Sequence, residues 1–354
     1  MRRKEYEINT NSQKVPILSF PQSFERESGS KYCEAISPIR AFGDDNNLLL
    51  KGRVWLSPTA ALHDSKGIAL VLTLMVTALI TALVVEFSYG VYVNTSALYN
   101  WQALQKLSIA AGTGVRVAVL GITINDSRNS YTYPGVILKE GLKPFDDFEG
   151  SVSLRVEDEA GKLNINTIIY PNGMLNEEAY NAFIRLLKFL ELDTSIADRV
   201  ADWIDKDSEQ RRTNSEEWTK NGPFESVDEL LLVKGISRAD YDKLAPYVTI
   251  YGDGRININA AQIPVLVSLA DAVDKNLAER LVKYRELSPF NTSSDILKVA
   301  GFEMIGTSLM GRVVVKGKVF SVRSIAESGS LKRIIDCVLQ VAGSGATIKY
   351  WIET

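Results

Sequence analysis

The stretch that decides the fold is Ile68–Val85, which reads IALVLTLMVTALITALVV. It contains no charged residue, glycine or proline, and an apolar helix of roughly 20 residues can cross the hydrocarbon core of a bilayer. A helix buried inside a soluble domain is the alternative, but no other segment of the chain is long enough to cover this one on all sides. The sequence therefore predicts a transmembrane helix over Ile68–Val85.

The charges on either side of this helix predict its orientation. Lys51, Arg53 and Lys66 precede the apolar segment, whereas Glu86 follows it. Positively charged flanks stay on the cytoplasmic side of a membrane. We therefore expect a single-pass protein with its N-terminus in the cytoplasm and its C-terminal domain on the other side.

Composition disfavours several functional classes. The chain has 354 residues, of which 45% are hydrophobic, and a formal net charge of −3. It can therefore build a packed core, and it lacks the basic surplus that is typical of nucleic-acid-binding proteins. His63 is the only histidine, and Cys33 and Cys337 are the only cysteines, which disfavours His-based zinc sites, disulfide frameworks and His-dependent nucleophiles.

We predict that the protein is not an enzyme. The sequence contains no Gly-rich phosphate loop and no activated nucleophile. Nothing in the pattern places two of the candidate acid–base carboxylates across a cleft; these are Asp158, Glu159, Asp205 and Asp207.

A second helical pattern follows the apolar segment. No proline lies between Pro58 and Pro134, and apolar residues recur every three or four positions at Leu98, Trp101, Leu104, Leu107, Ala111, Val115 and Ala118. This spacing is one stripe of an α-helix. We expect one helix over residues 68–120, apolar all round in its first half and packed against a globular domain along one side of its second half.

Two pairs of segments repeat in the globular part. Leu154–Asn166 resembles Val248–Asn259, and each alternates around a Gly-containing turn in a way that predicts a β-hairpin. Pro223–Ser237 resembles Pro289–Glu303, and each runs from Pro-Phe through a Ser or Thr cap and a short helix to a Gly turn. The second pair indicates a region of helical hairpins similar to helix-hairpin-helix and SAM-like modules.

The last part of the chain is typical of β-strands. Four stretches rich in β-branched residues are bounded by Gly-Ser turns at 328–330 and 343–345; they are Val313–Val315, Val319–Val322, Ile334–Val341 and Ile348–Trp351. We expect the segments 152–166, 248–258 and 313–352 to form one antiparallel sheet on the amphipathic half of the long helix. The predicted fold class is therefore α+β.

The residues in front of the apolar segment resemble a processing site. Lys66 and Gly67 immediately precede Ile68, and a basic residue and a glycine directly before an apolar helix are similar to the cleavage site of type IV prepilin-like proteins. The resemblance implies that the prepilin peptidase cuts between Gly67 and Ile68 on the cytoplasmic side and leaves the helix on the mature protein. A plain signal anchor with a chance glycine is the alternative.

Four motifs in this order are similar to the K subunits of the type II secretion pseudopilus, which are large minor pseudopilins. They are Lys66–Leu70 (KGIAL), Asp158–Asn166 (DEAGKLNIN), Ala201–Asp207 (ADWIDKD) followed by Pro223–Gly235, and Ile256–Ala261 (ININAA). The resemblance covers about residues 66–354. It implies a long pilin helix on an antiparallel sheet, with a large helical insertion of the SAM-like or helix-hairpin-helix kind.

The resemblance also implies a division of the chain. The expected parts are a leader over 1–67, the pilin helix over 68–120, a pilin-like α/β part over 121–169, the helical insertion over 170–306 with the hairpin 248–259 returning to the sheet, and a pilin-like β part over 307–354. The leader is longer than is usual for prepilins, so either translation starts after Met1 or a cytoplasmic extension exists; the first is the prediction.

The fifth residue of the apolar helix indicates which kind of pseudopilin the chain resembles. Major pilins and most pseudopilins carry a glutamate at the fifth residue of the mature helix, and here that residue is Leu72. In that family the glutamate pairs with the N-terminal ammonium of the subunit above. The resemblance therefore implies a subunit at the tip of the pseudopilus, needed to initiate it and to export folded proteins across the outer membrane.

Partners and location follow from the same resemblance. The implied partners are the minor pseudopilins I and J, the major pseudopilin, the prepilin peptidase and the inner-membrane assembly platform, with no nucleic acid. The implied location is the inner membrane, with the N-terminus in the cytoplasm and the C-terminal domain in the periplasm. One alternative is a K-like minor pilin of another type IV filament system.

The helical hairpins leave a second alternative, a nucleic-acid-binding membrane protein, because helix-hairpin-helix turns present backbone N–H groups to phosphates. Charge argues against it, since residues 223–251 carry three basic and five acidic residues and a DNA-binding surface is basic.

A polar loop in the insertion is a candidate calcium site. Calcium takes six to eight oxygen ligands in irregular geometry, and the loop supplies five carboxylates: Asp205, Asp207, Glu209, Glu216 and Glu217. The family resembled here binds calcium in this insertion, so the resemblance implies calcium as the cofactor. The alternative is a solvated acidic loop in which Asp202 and Asp205 pair with Arg199 and Arg211.

Overall fold

The computed structural model describes residues 6–8, 65–206, 211, 219–343 and 345–354. The chain divides into two compact units, Ser12–Tyr99 and the combination of Met1–Asn11 with Asn100–Thr354. In the first unit the described residues form one helix, and in the second they form a sheet, part of the same helix and a helical insertion.

Seven α-helices occur in the described residues: α1 (Ser65–Arg128), α2 (Glu177–Phe189), α3 (Ser195–Ile204), α4 (Arg238–Leu244), α5 (Ile263–Ser268), α6 (Lys275–Leu287) and α7 (Gly306–Leu309). Short 3-10 helices add Glu159–Gly161, Ile165–Ile168, Val227–Leu232, Ala245–Tyr247 and Ser293–Lys298. The described part of the predicted insertion is thus mostly helical, as expected.

Helix α1 is 64 residues long and contains both predicted helical segments. Its end at Arg128 lies eight residues beyond the predicted end at residue 120, so that boundary is wrong. The apolar stripe continues to Ile122, which is buried. The last turn is capped because Lys316 Nζ donates to the carbonyl oxygen of Asp126 at 2.6 Å, and a lysine is favourable where a helix leaves its final carbonyls unpaired.

The ten strands are β1 (Tyr6–Ile8), β2 (Val136–Leu142), β3 (Ser151–Asp158), β4 (Leu163–Asn164), β5 (Val248–Thr249), β6 (Ile256–Asn257), β7 (Val313–Val314), β8 (Val319–Ser328), β9 (Leu331–Ala342) and β10 (Gly345–Glu353). Six of them form one antiparallel sheet in the order β1-β10-β9-β8-β3-β2. The C-terminal strands were predicted, but β7 lies outside this sheet, so the expectation that all of 313–352 joins it is wrong. Strand β2 was not predicted, because most of its side chains are exposed and give no alternating pattern.

The second half of α1 packs on this sheet. Leu107, Ala111 and Val115 are buried, and they belong to the same core as the inward-facing residues of the strands, which include Val152, Leu154, Val322, Ile335 and Leu339. The hydroxyl of Ser324 on β8 donates to the carbonyl oxygen of Ala111 at 2.8 Å. The amphipathic stripe read from the sequence is therefore the face that contacts the sheet.

Both predicted hairpins, 154–166 and 248–259, are wrong. Strand β4 pairs in parallel with β5, and β6 pairs in parallel with β7. The segment 248–258 therefore lies in two small sheets and does not return to the large one. An alternating apolar pattern predicts a strand but says nothing about which strand pairs with it.

The second predicted repeat is present in atomic detail. Asn166 accepts from the backbone N–H of Phe224 at 2.8 Å and donates to its carbonyl oxygen at 2.9 Å. Asn259 makes the same two bonds with Phe290, both at 2.9 Å. Each of these asparagines is joined by two hydrogen bonds to the phenylalanine of a Pro-Phe turn, so the insertion contains two copies of one structural unit.

The two copies also share a stacked aromatic pair and an arginine. Trp203 stacks on Phe224 and Tyr284 stacks on Phe290. Four residues before each stacking residue, Arg199 donates to the Lys234 carbonyl at 2.9 Å and Arg280 to the Ala300 carbonyl at 3.4 Å. These equivalences give a register between the copies, which shows where the first copy departs from the second.

Candidate functional site

The apolar segment is exposed along its whole length. Every residue of Ile68–Val85 is exposed, and among the described residues α1 is the one helix that is long and apolar enough to cross a membrane. Its threonine hydroxyls, at Thr73, Thr77 and Thr81, donate to backbone carbonyl oxygens three or four residues earlier, at 2.7–3.0 Å. Polar groups satisfied within the helix are compatible with a lipid environment.

The predicted cleavage position lies at the start of α1. Gly67 and Ile68 are exposed, and a side chain added at Gly67 would meet no atom within 4 Å. Leu72 is 62% exposed, so it presents an apolar side chain at the surface of the helix. The side chain of Lys66 and residues 9–64 lie outside the described part, and cleavage itself stays a prediction.

A second apolar stripe on α1 faces away from the sheet. Ile109, Val117, Leu120 and Ile124 are 63%, 49%, 54% and 40% exposed. At about 100° per residue these four positions fall within an arc of about 80°, opposite the buried stripe that contains Ala111. We call these four residues the outer stripe. The outer stripe was not predicted from the sequence.

The junction between the sheet and the insertion is held by two adjacent carboxylates. Asp158 ends β3 and accepts from Asn257 Nδ2 at 2.7 Å, while Glu159 accepts from the hydroxyls of Thr249 and Ser321. Lys162 Nζ lies 2.8 Å from Glu159. Both carboxylates are buried, and their hydrogen bonds join the sheet to both copies of the repeated unit.

Burial changes the acidity of Asp158 at this junction. Desolvation raises the pKa of Asp158 to about 6, against the hydrogen bonds from Asn257 and the Ala160 N–H, and the neighbouring Glu159 raises it further. The backbone N–H of Gly317 also approaches Asp158, and a Cβ at Gly317 would lie 1.9 Å from its carboxylate. A glycine is therefore required where this loop passes the carboxylate.

The candidate calcium ligands are only partly described. Asp207, Glu209, Glu216 and Glu217 lie outside the described residues, whereas Asp205 is buried at the end of α3. Among the residues that the structure describes, no group of three or more His, Cys, Asp or Glu side chains is placed to hold a metal ion. Calcium stays a prediction of the sequence.

The described carboxylates of this loop are bound to an arginine. Arg211 Nη1 donates to Asp202 Oδ1 at 2.5 Å and to Asp205 Oδ2, and its backbone N–H donates to Asp202 Oδ2 at 3.2 Å. Burial lowers the pKa of Arg211, but the bonds and charges of Asp205 and Asp202 outweigh it and raise the pKa above its ordinary value. Of the two arginines named in the sequence alternative, Arg211 makes this pair, whereas Arg199 binds the Lys234 carbonyl.

A long exposed apolar helix, its continuation on an antiparallel sheet and a helical insertion with two copies of one unit are the architecture expected of a pilin-type protein with a candidate membrane anchor and an enlarged C-terminal domain. Two consecutive segments, residues 161–253 and 256–316, match the family described as type II secretion system (T2SS), protein K. These matches fall on the two copies of the repeated unit.

Similar proteins share most of the chain. The type II secretion system protein K of Pseudomonas aeruginosa is 27% identical over 310 residues, which cover 80% of this chain and 91% of that protein. The protein K of Klebsiella pneumoniae is 26% identical over 271 residues, covering 68% and 79%. A chain from the crystal structure of the GspK-GspI-GspJ complex of enterotoxigenic Escherichia coli has a TM-score of 0.60 at 16% identity, covering 72% of this chain and 98% of that one.

The family matches, the relatives and the shared fold together support a type II secretion system protein K, a minor pseudopilin, and the apolar first half of α1 is consistent with a single membrane anchor. The family is that of a structural component of the secretion apparatus and not of a known enzyme. Of the interpretations that the sequence left open, the family favours the type II secretion pseudopilus over another filament system or a nucleic-acid-binding protein.

Proposed function

We propose that this minor pseudopilin forms the tip of the pseudopilus, and that it is needed to initiate the filament and to export folded proteins across the outer membrane. The observation that carries the proposal is Leu72. After cleavage before Ile68 this residue would be the fifth of the mature helix, and it offers an exposed apolar side chain where a carboxylate would hold the ammonium of a subunit above. A subunit without that carboxylate needs no subunit above it.

The outer stripe is the proposed contact with the minor pseudopilins I and J. Ile109, Val117, Leu120 and Ile124 are exposed on a helix whose other face is already packed on the sheet. An amphipathic helix with a second apolar face is suited to pack against other helices in water. The fold similarity to a chain that was crystallised with GspI and GspJ supports these partners.

Processing and orientation are part of the same proposal. Cleavage between Gly67 and Ile68 by the prepilin peptidase would require the exposed start of α1 to face the cytoplasm, with the sheet in the periplasm. In that orientation β1, which precedes the membrane helix, lies on the other side of the membrane from β10. The β1–β10 pair is incompatible with this orientation, and we expect the mature protein, which would begin at Ile68, to lack β1.

Secretion and cross-linking in a strain that lacks the chromosomal copy test the proposal. A photoreactive residue at Leu120 is expected to cross-link to I or J, and Leu120→Glu is expected to lower secretion of a type II substrate without lowering the amount of folded protein. Arg116→Glu, on the same helix but beside the outer stripe, is the matched control and should secrete normally. Equal secretion by Leu120→Glu and the wild type, with no cross-link to I or J, would contradict the proposed contact.

The tip position has its own test. Immunogold labelling of an epitope-tagged protein on overproduced pseudopili should label one end of each filament. Sequencing of the membrane-bound protein should return Ile68 as its first residue. Labelling along the whole filament would overturn the tip assignment, and an intact leader in cells with an active prepilin peptidase would overturn the processing step.

A further inference from the structure

We infer that Arg211 takes the place of a divalent cation at Asp202 and Asp205, and that the first copy of the repeated unit is therefore held together at this point without metal. This inference concerns the insertion and is independent of the tip position proposed above. Its basis is the burial of two carboxylates, the position of the guanidinium between them, and the difference between the two copies.

Two buried carboxylates at this position need a cation. Asp202 and Asp205 are 0% and 1% exposed, and Asp205 is the C-cap of α3. The C-terminal end of a helix carries partial negative charge, so a carboxylate there is disfavoured. Burying two of them without a positive partner would be strongly destabilising.

The second copy of the unit lacks the buried carboxylate pair that the first copy has. By the register that aligns Trp203 with Tyr284, the positions of Asp202 and Asp205 correspond to Lys283 and Glu286, and both of these are exposed. In the second copy Pro289 follows α6 after one residue, whereas in the first copy residues 205–222 separate the end of α3 from the equivalent Pro223 in the sequence. The buried carboxylate pair and the additional sequence that contains Arg211 thus occur in the same copy.

The guanidinium occupies the position that a metal ion bound to both carboxylates would take. Calcium lies about 2.3–2.6 Å from carboxylate oxygens, and Arg211 Nη1 is 2.5 Å from Asp202 Oδ1 and also bonded to Asp205 Oδ2. A cation that bridged these two oxygens would have to displace Arg211. The two described carboxylates therefore do not fit a metal while Arg211 is in place, since the guanidinium is bonded to one oxygen of each.

Thermal unfolding of the full chain in detergent tests the inference, with tryptophan fluorescence as the signal. For the wild type we expect the same Tm in EDTA and in calcium chloride from about 10 μM to 10 mM, a range that covers weak extracytoplasmic sites. Arg211→Gln should lower the Tm by roughly 5–10 °C, because it leaves two buried carboxylates unpaired, and calcium should then restore part of the loss.

Two further variants separate charge balance from simple loss of packing. Arg199→Gln removes a nearby arginine that binds only a carbonyl oxygen among the described contacts, so its Tm should not respond to calcium. The double variant Asp205→Asn/Arg211→Gln should regain more than half of the stability lost in Arg211→Gln, even if the single variant folds poorly. A saturable rise in the wild-type Tm with calcium would overturn the inference, as would a wild-type Tm for Arg211→Gln or no recovery in the double variant.

Discussion

Gly114 lies where α1 approaches the sheet closely, and replacing it by alanine is a sharp test of the helix–sheet packing. A Cβ at this position would lie 2.4 Å from Ser324 Oγ, 2.9 Å from Leu154 Cδ2 and 3.0 Å from Val152 Cγ1. Ser324 is fully buried and its hydroxyl donates to the Ala111 carbonyl at 2.8 Å, so it cannot move without giving up a buried hydrogen bond.

The expected magnitude follows from three opposing contributions. Overpacking of a close contact costs about 1–3 kcal/mol, loss of the Ser324 hydrogen bond costs about 1 kcal/mol, and alanine gains about 1 kcal/mol over glycine inside a helix. Gly114→Ala should therefore lower the free energy of unfolding by about 1–3 kcal/mol. Gly112, two residues earlier on the same helix, has no atom within 4 Å of its added Cβ, so Gly112→Ala should raise it by up to about 1 kcal/mol.

The assay is thermal unfolding of the two full-length variants in the same detergent. At about 2–4 °C per kcal/mol for a domain of this size, Gly114→Ala should melt roughly 5–10 °C below Gly112→Ala. If Gly114→Ala is as stable as Gly112→Ala, or more stable, then α1 does not approach the sheet at this residue and the packing described for the helix is incorrect.

Three further outcomes follow from the insertion and its junction. Asn259→Asp should lower the free energy of unfolding by about 1–3 kcal/mol, since it turns the donor to the Phe290 carbonyl into an acceptor. Urea unfolding measures this change, and an unchanged free energy of unfolding would contradict the role given to the Asn259–Phe290 hydrogen bonds. Asn166→Asp should have the same sign with a smaller effect, because Asn166 is less buried. Asp158 binds its proton more tightly in the folded chain, where its pKa is about 6 instead of 3.8. The protonated form therefore stabilises the folded chain below about pH 4, and this stabilisation is lost as the pH rises to about 6. The loss amounts to up to about 3 kcal/mol of the free energy of unfolding. Asp158→Asn should remove this dependence of stability on pH. The measurement is the difference in unfolding free energy between the wild type and the variant at pH 4 and again at pH 7. If this difference is the same at both pH values, the pKa of Asp158 is not raised.

The helices were the most predictable part of the fold. Helix α1 follows from composition and from a period of 3.6 residues, and both are properties of neighbouring residues along the chain. The Ser and Thr caps before the 3-10 helices, at Ser226 and Thr292, and the Gly turns at Gly235 and Gly301 are equally local, and the structure has them with positive φ at both glycines. Local patterns therefore located the repeated unit correctly.

Strand pairing was not predictable from the same patterns. Leu163 pairs with Val248, and Ile256 with Val313. These partners are far apart in the sequence, and the periodicity within one strand does not indicate which distant strand it pairs with. Two buried residues in a row are compatible with parallel or antiparallel partners. The choice depends on how the intervening helices pack, and that is a property of the whole insertion.

By itself, the sequence determined that this protein has an apolar segment long enough to form a membrane helix, a Gly–Ile junction in front of it and a leucine at position 72, because these are facts about composition and order. Only the tertiary structure decided that Asp158 and Glu159 join the sheet to the insertion, that α1 has an outer stripe, and that Arg211, and not Arg199, pairs with Asp202 and Asp205. The reason is physical: charge pairing and burial depend on distances between groups that are far apart in the chain, and such distances are set only when the elements pack.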